Sequence, residues 1–149
     1  MSEEPRSYRT PMPTFVLDCS VALGWFFADE GAAFAKAVAS SLATTRAIAP
    51  SIWPLEVANA ILMGERRRRS TPAQASAWLA SLRTLPIAID DETTSHAWGT
   101  SLDLGREHSL SAYDAAYLEL AIRKHLPIAT LDGVLKGAAK KLGVRAFEP

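Results

Sequence analysis

The chain has 149 residues, 48% of them hydrophobic and 21% charged, with 16 Lys and Arg balancing 16 Asp and Glu. That length suits one globular domain and leaves no room for a second full one, and the composition excludes extensive disorder. A formal net charge of zero excludes nucleic-acid binding through the field of the whole molecule, so any such site has to be local.

Residues 1–13 carry Pro5, Pro11 and Pro13 with little apolar content, so a flexible N-terminal tail is expected there and a single domain over 14–149. Short apolar runs at Thr14–Asp18, Arg46–Ala49, Pro86–Asp90, Pro127–Leu131 and Val144–Phe147 predict five strands. The segments between them have helical period, which predicts parallel pairing and an α/β fold. Phe34, Val38 and Leu42 mark a first helix and Leu55, Ala58 and Leu62 a second, each with one stripe expected to lie on the sheet. Thr71-Pro72-Ala73-Gln74 supplies an N-cap, a proline at the first helical position and a capping-box glutamine ahead of Ala75, Trp78, Leu79 and Leu82. Trp98 and Leu102 mark a fourth helix. Tyr113, Tyr117, Leu120 and Ala121 mark a fifth behind Ser111, and Leu135, Ala139 and Leu142 a sixth that stops near Gly143.

The single cysteine, Cys19, excludes an internal disulfide and a Cys-based zinc cluster and fits a reducing compartment, so the cytoplasm is the expected location. The apolar stretch from Phe15 to Ala28 contains Asp18 and follows an acidic Ser2-Glu3-Glu4, so export is not expected. Glu56 and Asn59 interrupt the next candidate, Ser51 to Gly64, short of the ~18 apolar residues of a membrane helix. No membrane partner is expected.

Ligands of open parallel sheets bind beyond the C-terminal ends of the strands. Phe15-Val16-Leu17 runs into Asp18 and Ile128-Ala129-Thr130-Leu131 runs into Asp132, which puts two carboxylates at one rim if the strands are parallel. Either acid alone reads as a turn or cap residue. Glu56 sits in the first turn of an otherwise apolar helix, where it complements the dipole, but Asn59 one turn later shares its edge and has no such explanation. Asp114 follows Ser111 by three residues and is open to a capping-box role. Four acids gathered at one rim would repel one another unless a hard cation offset them, and oxygen-only donors suit magnesium or manganese. Ser20 and Thr130 each lie two residues from a candidate acid and could orient a carboxylate or water; ordinary turn hydrogen bonding is the alternative.

In series, Val16-Leu17-Asp18-Cys19-Ser20, Pro54-Leu55-Glu56-Val57-Ala58-Asn59-Ala60, Leu110-Ser111-Ala112-Tyr113-Asp114-Ala115-Ala116-Tyr117 and Ala129-Thr130-Leu131-Asp132 resemble the successive motifs of PIN-domain ribonucleases. Within that family the likeness is to the VapC toxins of bacterial type II toxin-antitoxin pairs, and it runs from Thr14 to Phe147. The resemblance implies a three-layer fold with a central parallel sheet of about five strands in the order 3-2-1-4-5 and helices on both faces. It also implies magnesium- or manganese-dependent endonucleolytic cleavage of RNA, a cognate antitoxin protein and a homodimer. Carried over by position, Asp18, Glu56, Asp114 and Asp132 form the catalytic acidic cluster, with Asp18, Asp114 and Asp132 as metal ligands and Ser20, Asn59 and Thr130 in support. Some relatives carry a further acid just after the fourth, where this chain has Gly133-Val134-Leu135-Lys136.

The run Arg66, Arg67, Arg68 and Arg69 closes the second helix, where cations complement the dipole; contact with RNA phosphates or with an antitoxin is the functional alternative. His96, His108 and His125 lack metal-ligand spacing and are expected in surface or loop roles. Trp25, Phe26, Phe27, Trp53, Trp78 and Trp98 are expected to fill the core or an interface. Two other functions stay compatible with the residues: an inactive PIN-like module that only binds proteins, and a metal-dependent hydrolase of a small phosphorylated substrate.

Overall fold

The computed structural model describes residues 12–27 and 31–149, so residues 1–11 of the expected tail lie outside it. Strand β1 (Thr14–Leu17) passes into α1 (Cys19–Phe26), and α2 (Ala32–Ser41) leads to β2 (Arg46–Ala49). Helices α3 (Trp53–Arg66) and α4 (Pro72–Leu82) precede β3 (Ile87–Ile89). A 3-10 turn (Thr94–His96) and a wide helical turn (Ala97–Ser101) lead into α5 (Leu102–His108), then α6 (Ala112–Lys124), β4 (Ile128–Ala129) and α7 (Gly133–Lys141). Among the described residues, no helix is long and apolar enough to cross a membrane.

Every strand pairing is parallel and the order is β3-β2-β1-β4, so β1 lies inside the sheet with Val16 opposite Ile48 on one side and Ile128 on the other. Phe15, Val16 and Leu17 are consecutive and all fully buried. Successive strand residues point to opposite faces, so both faces of the sheet are covered, as parallel sheets require.

Among the described residues the sheet has four strands, not the expected five. Val144–Phe147 contributes a single parallel bridge, Ala146 to Ile128, with the Ile128 N–H donating to the Arg145 carbonyl and the Phe147 N–H to the Ile128 carbonyl, both at 2.9 Å. β4 itself is only two residues long because the chain turns at Thr130 toward α7, so there is no length along which a ladder could form. The segment is held by a side chain instead: Phe147 stacks on Phe15 with ring centroids 3.9 Å apart.

Two helix readings also change. Among the described residues there are seven α-helices, one more than the sequence pattern predicts, because α1 follows β1 after a single residue. The run is apolar on both sides of that junction and Asp18 makes no side-chain cap bond, so nothing local marks the boundary. In α3 the buried stripe is Trp53, Val57, Ile61 and Gly64, whereas Leu55 and Leu62 are 67% and 47% exposed and Ala58 is exposed too. Both stripes have helical spacing, so periodicity alone could not choose between them. The third predicted helix starts as expected: Thr71 Oγ1 accepts the Gln74 N–H at 3.2 Å and Gln74 Oε1 accepts the Thr71 N–H at 3.0 Å, a complete capping box. Trp78 stacks on Phe26, while Trp98 is 91% exposed and takes no part in the core.

Candidate active site

Leu17 pairs with Ala129, so the next residues, Asp18 and Thr130, emerge side by side at the C-terminal ends of β1 and β4. Asp18 Oδ2 accepts two hydroxyl hydrogen bonds, from Ser20 at 2.6 Å and from Thr130 at 2.7 Å. Each hydroxyl in turn accepts a backbone N–H from the β4–α7 loop, Leu131 to Ser20 at 2.9 Å and Asp132 to Thr130 at 3.0 Å. The proton directions are therefore fixed: both hydroxyls give their hydrogen to Asp18, and the carboxylate is held as an acceptor. Asp18 occupies the N-cap position of α1, but its second oxygen takes no capping bond.

The remaining acids approach from helix starts. Glu56, in the first turn of α3, accepts a hydrogen bond from the Tyr117 hydroxyl at 2.6 Å, so it is more than a free charge on the helix dipole. The same hydroxyl accepts the Cys19 N–H at 3.3 Å, which joins α6, α3 and the start of α1 through one fully buried phenol. Tyr117 is the residue the sequence pattern left as plain core. Its signal was there, since it follows Asp114 by three residues and shares that face of α6. Ser111 caps α6 by accepting the Asp114 N–H at 3.1 Å, but no return bond from the Asp114 side chain completes a box. Asp132 does cap: its Oδ1 accepts the Val134 and Leu135 N–H groups at 2.8 and 3.1 Å, opening α7. Its other oxygen is not used by that cap.

Electrostatics ties these groups into one unit. Burial pushes the Asp18 carboxyl above its ordinary pKa; the bonds from Ser20 and Thr130 oppose this, and the charges of Asp114 and Asp132 add to it. Glu56 is pushed up by burial and by Asp18 and Asp114, against the Tyr117 bond. Asp114 is pushed up by burial and then by Asp132. Burial, with Asp18 and Glu56 nearby, keeps the Tyr117 phenol neutral, and burial likewise keeps Cys19 a thiol rather than a soft thiolate ligand. The donor set is carboxylate oxygen backed by hydroxyls, and it carries surplus negative charge. Such a set fits a hard divalent ion.

Three other acids, Asp90, Asp91 and Glu92, bring carboxylate oxygens within 4.8 Å of one another. Among the described residues the cleft acids form no such compact group. The Asp90 group is nevertheless a poor cation site, because Arg123 already binds it, donating to Asp90 Oδ2 at 2.6 Å, Glu92 Oε2 at 3.1 Å and Glu119 Oε1 at 2.7 Å. Burial would raise the Asp90 carboxyl, yet bonds from Arg123 and Thr93 hold it below the usual range. Asn59, the expected supporting residue, is exposed and makes no side-chain hydrogen bond among the described residues. Arg66 ends α3, and Arg67 to Arg69 follow it on the surface. His96 lies 3.6 Å from Glu119, away from the acidic cleft, while His108 ends α5 and His125 caps α6.

The sequence pattern of the family described as PIN domain matches residues 15–141. The chain belongs to the PIN domain family. PIN domains are generally metal-dependent nucleases, and the carboxylate donors of this cleft accord with that chemistry. This PIN domain is also similar to a solved structure, the crystal structure of PAE2754 from Pyrobaculum aerophilum, with a TM-score of 0.63, 20% identity, and coverage of 93% of this chain and 88% of that one. At that identity the likeness speaks for the fold. No curated protein matches the chain.

Proposed function

We propose that this PIN domain is a magnesium- or manganese-dependent endoribonuclease and the toxin of a toxin-antitoxin pair. The observation that carries the enzymatic reading is the coupling of Asp18 at the end of β1 with Glu56 and Asp114 at the starts of α3 and α6, each pushed toward protonation by burial and by a neighbouring acid. A fold keeps mutually repelling carboxylates together when function needs them, at some expense of stability. Asp18, Asp114 and Asp132 are the residues that would hold the ion; when bound, it lowers the pKa of a coordinated water and offsets charge on the phosphoryl oxygens. Ser20 and Thr130 fix Asp18 as an acceptor. Tyr117 holds one oxygen of Glu56, whose raised pKa suits it to take the proton of the attacking water through the other.

The partners are proposed on the same footing. Leu55 and Tyr113, which is 60% exposed, line a recess of about 320 Å³ together with Ala97, and the exposed Trp98 follows directly. Apolar surface of this kind supports a homodimer, and the co-encoded antitoxin is the further partner. Purified protein should cut RNA with magnesium or manganese and stop on chelation, and it should leave a small phosphate ester intact. Undiminished cutting in excess EDTA would overturn the metal mechanism, and turnover of the ester without RNA cleavage would move the assignment to a small-molecule hydrolase.

A further inference from the structure

The segment expected as a fifth strand leaves room beside α7. Val144–Phe147 reaches the sheet only through the bridge from Ala146 to Ile128, and it shares with α7 the walls of a recess of about 710 Å³. Part of that wall is bare helix. Gly133 and Gly137 lie one turn apart on one face of α7, and a Cβ on either would meet nothing within 4 Å. Lys136, Lys140 and Arg145 line the same recess, and among the described residues no acid does. None of the three cations is paired with a described acid, whereas Arg106 and Arg123 are. In a chain whose charges sum to zero this is a local positive excess. The dipole of α7 accounts for Lys140 in the last turn, but not for Lys136, the fourth residue of the helix, nor for Arg145, which lies outside every helix. Thr130 belongs to the wall as well, and its hydroxyl donates to Asp18, so the recess adjoins the acids.

We infer that the recess along α7 carries the RNA strand past the acids, with phosphates next to the scissile one held by Lys136, Lys140 and Arg145. The inference rests on the nuclease reading above and adds the path of the strand. A strand whose scissile phosphate meets an ion at Asp18 must place its next phosphates where the cleft carboxylates do not repel them. The recess starts at Thr130, whose hydroxyl is 2.7 Å from Asp18 Oδ2, and continues among cations. Lys136 and Lys140 stand one helical turn apart, which spaces two point charges along the path, and the Arg145 guanidinium can take a phosphate through two of its N–H groups. The bare face at Gly133 and Gly137 lets the strand approach the helix closely. About 710 Å³ is the size of a ligand pocket and holds a whole nucleotide rather than a phosphate alone.

The test is the salt dependence of binding, which counts the phosphates a protein neutralises. A fluorescein-labelled oligoribonucleotide is titrated in calcium at several salt concentrations, and anisotropy gives the slope of log K against log salt. Lys136→Gln, Lys140→Gln and Arg145→Gln should each flatten that slope by about 0.7, and the triple variant by about 2. Lys124→Gln, at an exposed cation that does not line the recess, should keep the parental slope. Gly137→Leu fills the recess without changing charge and replaces glycine by a stronger helix former, so it should weaken binding about tenfold with a melting temperature at or above the parent's. Circular dichroism melts establish that every variant folds. A parental slope for the triple variant, an equal change for Lys124→Gln, parental binding by Gly137→Leu, or no RNA binding by the parent would each overturn the inference. Loss of a co-encoded protein by the triple variant with RNA binding intact would give the recess to an acidic partner protein and overturn it as well. Failure of the parent to cut RNA in magnesium or manganese bears on the nuclease reading alone, because the slopes read binding without cleavage.

Discussion

At Asp114 a helix cap and a charged cleft make opposite demands. Ser111 takes the Asp114 backbone N–H, so the cap of α6 survives a change of the Asp114 side chain, while that carboxyl is pushed up by burial and by Asp132. Asp114→Asn should therefore leave the melting temperature in EDTA unchanged or raised and lower metal-dependent cleavage by about 100-fold or more, the scale of losing one transition-state contact. A loss of stability with cleavage intact would return Asp114 to a capping role. Asp132 behaves differently because its Oδ1 holds two N–H groups of α7. Asp132→Ala should cost about 1 kcal/mol of folding stability in urea titrations besides its effect on cleavage. Tyr117→Phe removes the donor to Glu56 and leaves the buried Cys19 N–H without its acceptor, a loss of about 1–3 kcal/mol. Cleavage should fall with it. Parental cleavage by a folded Tyr117→Phe would remove Tyr117 from any part in orienting Glu56.

Among the elements, Arg123 of α6 joins its own helix to the turn after β3, through Glu119, Asp90 and Glu92. Glu119 is only 3% exposed, so Arg123→Met strands its charge, and a cost of about 3–5 kcal/mol is expected from chemical denaturation. Asp90 has a lowered folded-state pKa, so this pair stabilises at neutral pH, and the contribution is lost as pH falls below 3.8 through the folded value. The bond to Glu119 has the i,i+4 spacing of a helix pair, but those to Asp90 and Glu92 span 33 and 31 residues, and no local pattern links them. What the sequence did disclose were features with local causes. The capping box at Thr71, the β2 boundaries and the acids at strand ends each follow from neighbouring residues. The fifth strand, the α1 boundary and the buried face of α3 depend on which surfaces meet, and Val57 could not be ranked above Ala58 from spacing alone. The acids of the cleft were legible for a related reason: each stands at a strand end or helix start, and those positions are local.

Over the whole molecule, Asp18, Glu56 and Asp114 all carry raised folded-state pKa values. Such groups favour folding fully only below their ordinary values of 3.8 and 4.5, and that contribution is lost as pH rises through the raised ones. The metal-free protein should thus melt higher as pH falls from neutral toward 4.5, before the Asp90 pair begins to protonate. Added magnesium or manganese should stabilise most at neutral pH and least in acid, since ion and proton compete for the same oxygens. Calorimetry with and without EDTA reads both trends, and a gap that does not vary with pH would place the ion elsewhere. On the apolar face, Leu55→Asp should convert the proposed homodimer into a monomer with the fold intact, a change that light scattering reads. One feature of the topology also bears on synthesis. Thr130, which helps fix Asp18, lies 112 residues further along the chain, just beyond β4, the last of the described strands to leave the ribosome. The first cleft acid made is thus among the last to be fully oriented, so nascent chains that end before β4 carry all but the final acid without the Thr130 bond that helps aim Asp18, and the site is completed only near the end of synthesis.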